Sequence, residues 1–506
     1  MRSRTTTPLL LVGLAVASTA TAGTFRYAED QAPGIVNPLF TTTMSEARVN
    51  ELVFDGLFAD DPELATVPNL VSVYELDPDM MGMTLRLRDD VMWHDGEPLS
   101  ADDVVFTIEA MRDEDTMSTE AGRVAWISGA EATTPKTVKL SFANPEPRPE
   151  DKLFFKILPA HLFDTYTVSR TDSFRTNPLG TGPYQLSRYN DDNSITFEAN
   201  PDFRTPVGID EIIMREVSDK SYQAKLLIYE SLEGLVRVLP RDLAVLQSNR
   251  KVDLYPYQTN SWWYLGFNME REPFTDVNVR KAIAQSISVD ELLAPIGTGE
   301  VLSGPFVKSS PFYNHDVSPW SYDEDRAAGA LEAAGYIWDA GTWMTPEGEP
   351  LKFTVTAHQT LESAQEVVIN LQSQLRTAGI EVEVEFLDEA AWKARIWRES
   401  DYDMVLSQWS FDRNEDVREQ LHSEGARNFG HYKNETVDAL LDEARSTRDP
   451  HAKKAALRKV HKHARDDVPM VFLWTLDSYS ALSTQVSDVV IHPFYFFSWV
   501  SDWKMR

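Results

Sequence analysis

VMWHDGEPLSADDVVF, residues 91–106, sets a histidine, four acidic groups and a serine into sixteen positions. Such a density of polar groups suits either a catalytic or metal-binding cluster, or a turn followed by a helix start. The details favour the second. Asp95-Gly96 is a turn pair after a strand. Ser100 stands as an N-cap with Asp103 at N3, where Glu or Gln would complete a capping box, and Val104, Val105, Phe106 and Ile108 follow as an apolar face. Acids at this end of a helix face its positive pole, each gaining some tenths of a kcal/mol. A metal would need ligands converging on His94 from elsewhere, and the sequence shows none with suitable spacing.

Working outward, strand and helix patterns alternate. Thr84-Leu85-Arg86-Leu87-Arg88 has period two. Ala364, Val367, Val368, Leu371 and Leu375 share one helical face, Gly379 ends that helix, and Ile380, Val382, Val384 and Phe386 then alternate as a strand. Asp323 reads as the N-cap of a helix reaching Ala334, with Gly335 after it. Helix–Gly–strand units of this kind indicate α/β lobes. No repeat or Gly/Ser linker occurs, so domains must be joined by ordinary crossovers, with candidates near 178 and 205 where Pro and Gly cluster.

The chain has 506 residues, enough for two or three cores, since single cores stop growing near about 250–300 residues. Arg2 and Arg4, the apolar run 9–17 and the small-x-small site Ala20-Thr21-Ala22 predict an export signal over 1–22 and a processed chain beginning at Gly23. Cysteine is absent, which excludes disulfides, thiolate catalysis and Cys-ligated zinc or iron–sulfur sites. It also removes the residue that a lipid anchor would need, so a free periplasmic protein is expected. The net charge of −31 argues against nucleic acid or anionic lipid as a partner. Such a surface suits a compartment of high ionic strength, where screening moderates self-repulsion, or is simply that of an acidic periplasmic protein.

The segment WHDGEPLSADDVVFTIE (93–109), following a strand, resembles the signature of bacterial extracellular solute-binding protein family 5. These are the oligopeptide-, dipeptide- and nickel-binding components of ABC importers. Segments 36–58, 177–203, 261–293 and 429–444 resemble further family motifs, in the family's order. The resemblance implies a two-lobed periplasmic binding protein (type II, Venus-flytrap) of α/β class with an additional small α/β domain on the first lobe. It places the first lobe in 23–62, 178–267 and 478–506, the extra domain in 63–177 and the second lobe in 268–477. The implied function is capture of a peptide or small amino-bearing solute between the lobes and delivery to membrane permease subunits. No catalysis, cofactor or metal is expected, and the protein should be a monomer.

The resemblance also carries site residues. Trp409-Ser410-Phe411-Asp412 matches a Trp-x-x-Asp stretch whose aspartate holds a peptide's α-ammonium group. A carboxylate in a closing cleft pairs strongly with a cation once water leaves, and an adjacent indole adds a packing or cation–π surface. Ser261-Trp262-Trp263-Tyr264 forms a second candidate wall, of which strand alternation sends Trp262 and Tyr264 to one face and Trp263 to the other. Thr43 and Met44 lie where the first lobe's backbone runs beside a bound peptide. The chain departs from the family in reading Arg-Asn-Glu-Asp after Asp412, and in carrying Leu406 where an oligopeptide binder has arginine. Those departures keep a dipeptide, another amino-bearing compound, a modified peptide or a cationic metabolite open as ligand, and a glycoside or a nickel or other metal complex is the alternative within the family.

Two rival readings are weaker. An exported hydrolase would need a nucleophile–base or metal constellation, and neither HExxH nor GxSxG occurs. Nickel capture by His451, His461 and His463 is disfavoured by the Lys- and Arg-rich segment that holds them, whose positions Ala456, Leu457, Val460 and Ala464 predict a helix with a solvated basic face.

Overall fold

A computed structural model describes residues 23–361, 363–411 and 415–506. The predicted leader and Asp412 lie outside the described residues. Three sheets organise the rest. The first has seven strands in the order Val252–Tyr257, Ser478–Ser483, Gly234–Leu235, Thr24–Glu29, Glu211–Glu216, Ile195–Ala199, Tyr184–Tyr189. Its central strand Thr24–Glu29 runs parallel to both neighbours. The second has five strands in the order Glu381–Leu387, Lys352–His358, Met404–Ser410, Ser261–Phe267, Met470–Phe472, and its first three are parallel. The third is an antiparallel sheet of Val71–Leu76, Gly82–Leu87, Thr137–Phe142 and Ile127–Thr134.

One strand pairs across the expected boundaries. The strand Ser261–Phe267, assigned from sequence to the first lobe, is hydrogen-bonded into the second-lobe sheet between Met404–Ser410 and Met470–Phe472. The crossing therefore occupies Gln258–Asn260. Its motif resembled a strand entering the large lobe, but a strand's sequence does not state which sheet supplies its partners. The return crossing is shorter still: Asp477 alone separates Trp474–Leu476 from Ser478–Ser483. The two crossings are tied on the second-lobe side, where Gln258 Nε2 donates to Glu300 Oε2 (2.9 Å) and Asp477 N donates to Thr298 O (3.0 Å). Two short, adjacent crossings are the form of a hinge.

The extra domain has no separate core. Phe25 and Phe197 of the first lobe share one continuous cluster with Val104, Leu140 and Trp93 of the extra domain. The opening stretch rivets the two units together. His94 Nδ1 accepts from Gly180 N (3.2 Å) and its Nε2 bonds Gly182 O (3.1 Å), so the neutral Nε2–H ring satisfies both contacts. Burial lowers its pKa, consistent with that neutral form. Asp103 accepts from Ser100 N (2.7 Å), Trp93 Nε1 (3.2 Å) and, across the domain, Ala160 N (2.7 Å). The helix it caps is Ala101–Arg112. Asp95 pairs with His161 (2.9 Å), and Gly96 takes the positive φ that the turn requires.

The second-lobe sheet is sandwiched. Trp263, Leu265 and Phe267 face one core, and Trp262 and Tyr264 face the other, as period two predicts. The predicted helices are Ala364–Thr377 and Glu324–Ala333, the latter capped by Asp323, and the basic segment is the helix Pro450–Asp467.

Candidate binding cleft

In open α/β sheets, the carboxyl ends of parallel strands leave a crevice where ligands bind. Both lobes have such an end, and both adjoin the hinge. In the first lobe a cavity of about 340 Å³ opens beyond Thr24–Glu29 and Gly234–Leu235, lined by Glu29, Asp30, Met44, Arg48, Lys220, Arg237, Tyr257 and Thr259. In the second lobe a recess of about 270 Å³ lies beyond Lys352–His358 and Met404–Ser410, lined by His358, Thr360, Leu361, Trp392, Ser407, Gln408 and Ser410. The hinge joins them. Tyr257 and Thr259 belong to the first wall, while Ser261 Oγ accepts from Gln408 Nε2 (3.0 Å) of the second.

The first wall is charged, and its charges are largely paired. Arg48, partly buried, grips the buried Glu29 through two 2.5 Å bonds. Burial pushes the Glu29 carboxyl above its ordinary value, even against those bonds. At the rim Lys220 bonds Asp30 (2.8 Å) and holds its pKa down. Arg237 is exposed and has no carboxylate partner among the described residues.

The second wall holds no carboxylate, lysine or arginine among its described residues. His358 Nδ1 accepts from Thr360 N (3.2 Å) and bonds Thr360 Oγ1 (2.7 Å), which places the proton of the neutral ring on Nε2. Trp392 stacks edge-on to that ring at 5.7 Å. On the sheet's flank an aromatic floor forms. Trp409 stacks on Tyr264 (6.2 Å, 4°) and on Phe429 (6.1 Å), with the Arg427 guanidinium 5.9 Å from its ring. Phe411 stacks on Trp262 (5.6 Å).

The predicted site residues divide accordingly. Trp262, Tyr264, Trp409 and Phe411 come together, but Trp262 is 1% and Tyr264 7% exposed, so they support the wall more than they present a surface. Trp263 lies on the opposite face, stacked on Trp474 at 5.7 Å, and does not join them. Ser261 sits at the hinge. Met44 lines the first cavity, at 57% exposure. Thr43 is the N-cap of the helix Met44–Val53: its hydroxyl accepts from Glu46 N (3.2 Å) and its own N–H donates to Glu46 Oε2 (3.0 Å). Leu406 is fully buried. Glu29, Arg237, His358 and Gln408 also line the two recesses, and their places at or just past the ends of parallel strands were a signal that could have found them; Arg48, on the helix Met44–Val53, carries no such signal.

The histidines of the basic helix do not converge. His461 is buried against Ser303 Oγ (2.8 Å) with its pKa pushed down to about 4 by burial, whereas His451 is exposed. A third space, about 1040 Å³, separates the extra domain from the second lobe, between Arg148, Asp151 and Lys152 on one side and Glu415, Asp416 and Lys453 on the other.

A family model, bacterial extracellular solute-binding proteins, family 5 Middle, matches residues 65–425. The chain belongs to this family. Its members are solute-binding proteins that work with ABC permeases. The oligopeptide-binding protein AppA of Bacillus subtilis is 23% identical over 490 residues, covering 91% of this chain and 88% of that protein. Its structure in complex with a nonapeptide aligns with a TM-score of 0.70 at 21% identity, over 96% of this chain and 99% of AppA. HbpA2 from Haemophilus parasuis aligns at 0.86 and 18% identity, over 96% and 100%. NikZ from Campylobacter jejuni, in complex with Ni(L-His), aligns at 0.72 and 24% identity, over 95% and 99%. The family's two-lobed fold is the one described above. No helix among the described residues is long and apolar enough to cross a membrane.

Proposed function

We propose that this solute-binding protein is exported through a cleaved leader over 1–22, works free in the periplasm as a monomer, and captures a peptide or small amino-bearing solute for an ABC permease without catalysing a reaction. The observation that carries this reading is the pair of recesses at the carboxyl ends of parallel strands in two mixed sheets, joined by the crossing Gln258–Asn260. Asp412, two residues beyond the strand Met404–Ser410, is assigned the ligand's ammonium group. His358 presents an N–H rather than a lone pair, which suits hydrogen bonding to an organic solute better than ligation of a metal complex.

Native mass spectrometry of the purified protein, followed by a thermal-shift screen of dipeptides, oligopeptides, glycosides and nickel complexes, tests the reading. Ligand at about a hundredfold its Kd adds about 2.7 kcal/mol of stability. Asp412→Ala is expected to remove that gain for amino-bearing ligands, and equal binding by mutant and wild type would refute the assignment. A gain with glycosides or nickel complexes alone would move the ligand to those classes.

A further inference from the structure

The space of about 1040 Å³ between the extra domain and the second lobe has opposite charges on its two sides. On the extra-domain side the short helix Pro149–Lys152 carries Glu150 and Asp151 in succession. Asp151 is fixed there by Arg148 (2.6 Å) and by the Thr66 hydroxyl (2.6 Å), which makes this edge rigid. On the other side Asp449 caps the helix Pro450–Asp467, with Arg448 just before the cap and Lys453 in the first turn. Segment 146–152 holds three acids against two bases, whereas 448–454 holds three lysines and arginines against one acid. Lys453 and Arg448 make no ion pair among the described residues, and the Lys453 ammonium lies 5.4 Å from the Phe312 ring. Burial lowers the Lys453 pKa against the field of Asp151, and burial raises that of Glu150 against the field of Arg448. Lys453 and Glu150 have thus already lost part of their water while facing a counter-charge on the other unit. Pairing then adds attraction for little further loss of hydration.

We propose that these groups form an electrostatic latch: as the lobes close, Glu150 takes Arg448 and Asp151 takes Lys453, so that the extra domain holds the second lobe shut. The space shares no lining residue with either recess, so the latch acts whatever the solute and goes beyond the peptide reading. A chain with such a latch closes in part without ligand. Every ligand that prefers the closed form then binds more tightly, because part of the closing is already done.

The test uses the ligand-free chain, which has no cysteine of its own, with fluorophores on Glu131→Cys in the extra domain and Gln365→Cys in the second lobe, both exposed. Single-molecule energy transfer then counts closed and open molecules. Arg448 is exposed, so its reversal spares the fold. Arg448→Glu should lower the closed-to-open ratio about threefold or more, through a lost pair and a new repulsion. Glu150→Arg combined with Arg448→Glu should restore the ratio, as a reversed pair does in a double-mutant cycle. The difference between wild type and Arg448→Glu should shrink in about 0.5 M salt. Lys453→Met should lower the ratio on its own, and an unchanged ratio there removes the second pair. A single open population in the otherwise wild-type labelled chain, or an unchanged ratio in Arg448→Glu, overturns the latch. A reversed pair that stays as open as Arg448→Glu overturns the pairing with Glu150.

Discussion

The first lobe meets the cleft with charges that satisfy one another, whereas the second meets it with neutral hydrogen-bonding groups beside an aromatic floor. Glu29 and Arg48 are nineteen positions apart and paired, while His358, Gln408 and Ser410 at the ends of their strands include no carboxylate, lysine or arginine. The difference separates two ways of building a wall. Where charges pair internally, they hold the wall's own shape. Where the wall is neutral, a single nearby charge dominates ligand choice.

The sharpest way to break this contrast is Arg48→Met. If the Glu29–Arg48 pair is structural, leaving Glu29 buried alone should cost about 3–5 kcal/mol in urea unfolding. Because the folded pKa of Glu29 is already raised, its contribution is most favourable at low pH and is lost as pH rises through the folded value. Without Arg48 that pKa should rise further, so the deficit should be larger at pH 8 than at pH 5. A deficit independent of pH would mean that packing, not charge, is what Arg48 provides.

The second lobe should respond to pH in the opposite sense, through His461. Its folded pKa of about 4 lies below the ordinary 6.5, so the stability it contributes is present above pH 6.5 and is lost as pH falls towards 4. The full span is worth about 3 kcal/mol. His461→Gln should flatten that acid limb in unfolding measured from pH 7 to pH 4.5, and an unchanged slope would remove this histidine from the account.

Two smaller effects sharpen the comparison. Gln408→Ala removes the bond to Ser261 and should cost about 1 kcal/mol while changing ligand affinity, since it touches both hinge and recess. Lys220→Met, at the half-exposed rim pair with Asp30, should alter stability by less than about 1 kcal/mol. A larger loss there would show that the rim is as structural as the buried pair.

Much of the architecture was legible because its signals are local. The cap at Ser100 and Asp103, the turn at Gly96, and the alternation that sends Trp262 and Trp263 to opposite cores all follow from neighbours in sequence. The site was less legible because it is made of strand ends. His358 is one histidine after an apolar strand, and Arg48 finds Glu29 only once a helix packs over a sheet. Thr43, near the cleft, has its hydroxyl and main-chain N–H engaged by its own helix cap. The strand Ser261–Phe267 was recognised as a strand, but its sheet is decided by partners at 404–410 and 470–472, far along the chain.

The paired crossings at Gln258–Asn260 and Asp477 also determine what kind of movement the molecule can record. Two straps side by side permit rotation about the line between them and resist sliding or twisting. The lobes then have close to one mechanical coordinate. A single pair of spectroscopic labels, one at the exposed Met44 and one at Thr360, should therefore report the whole course of closure as one distance.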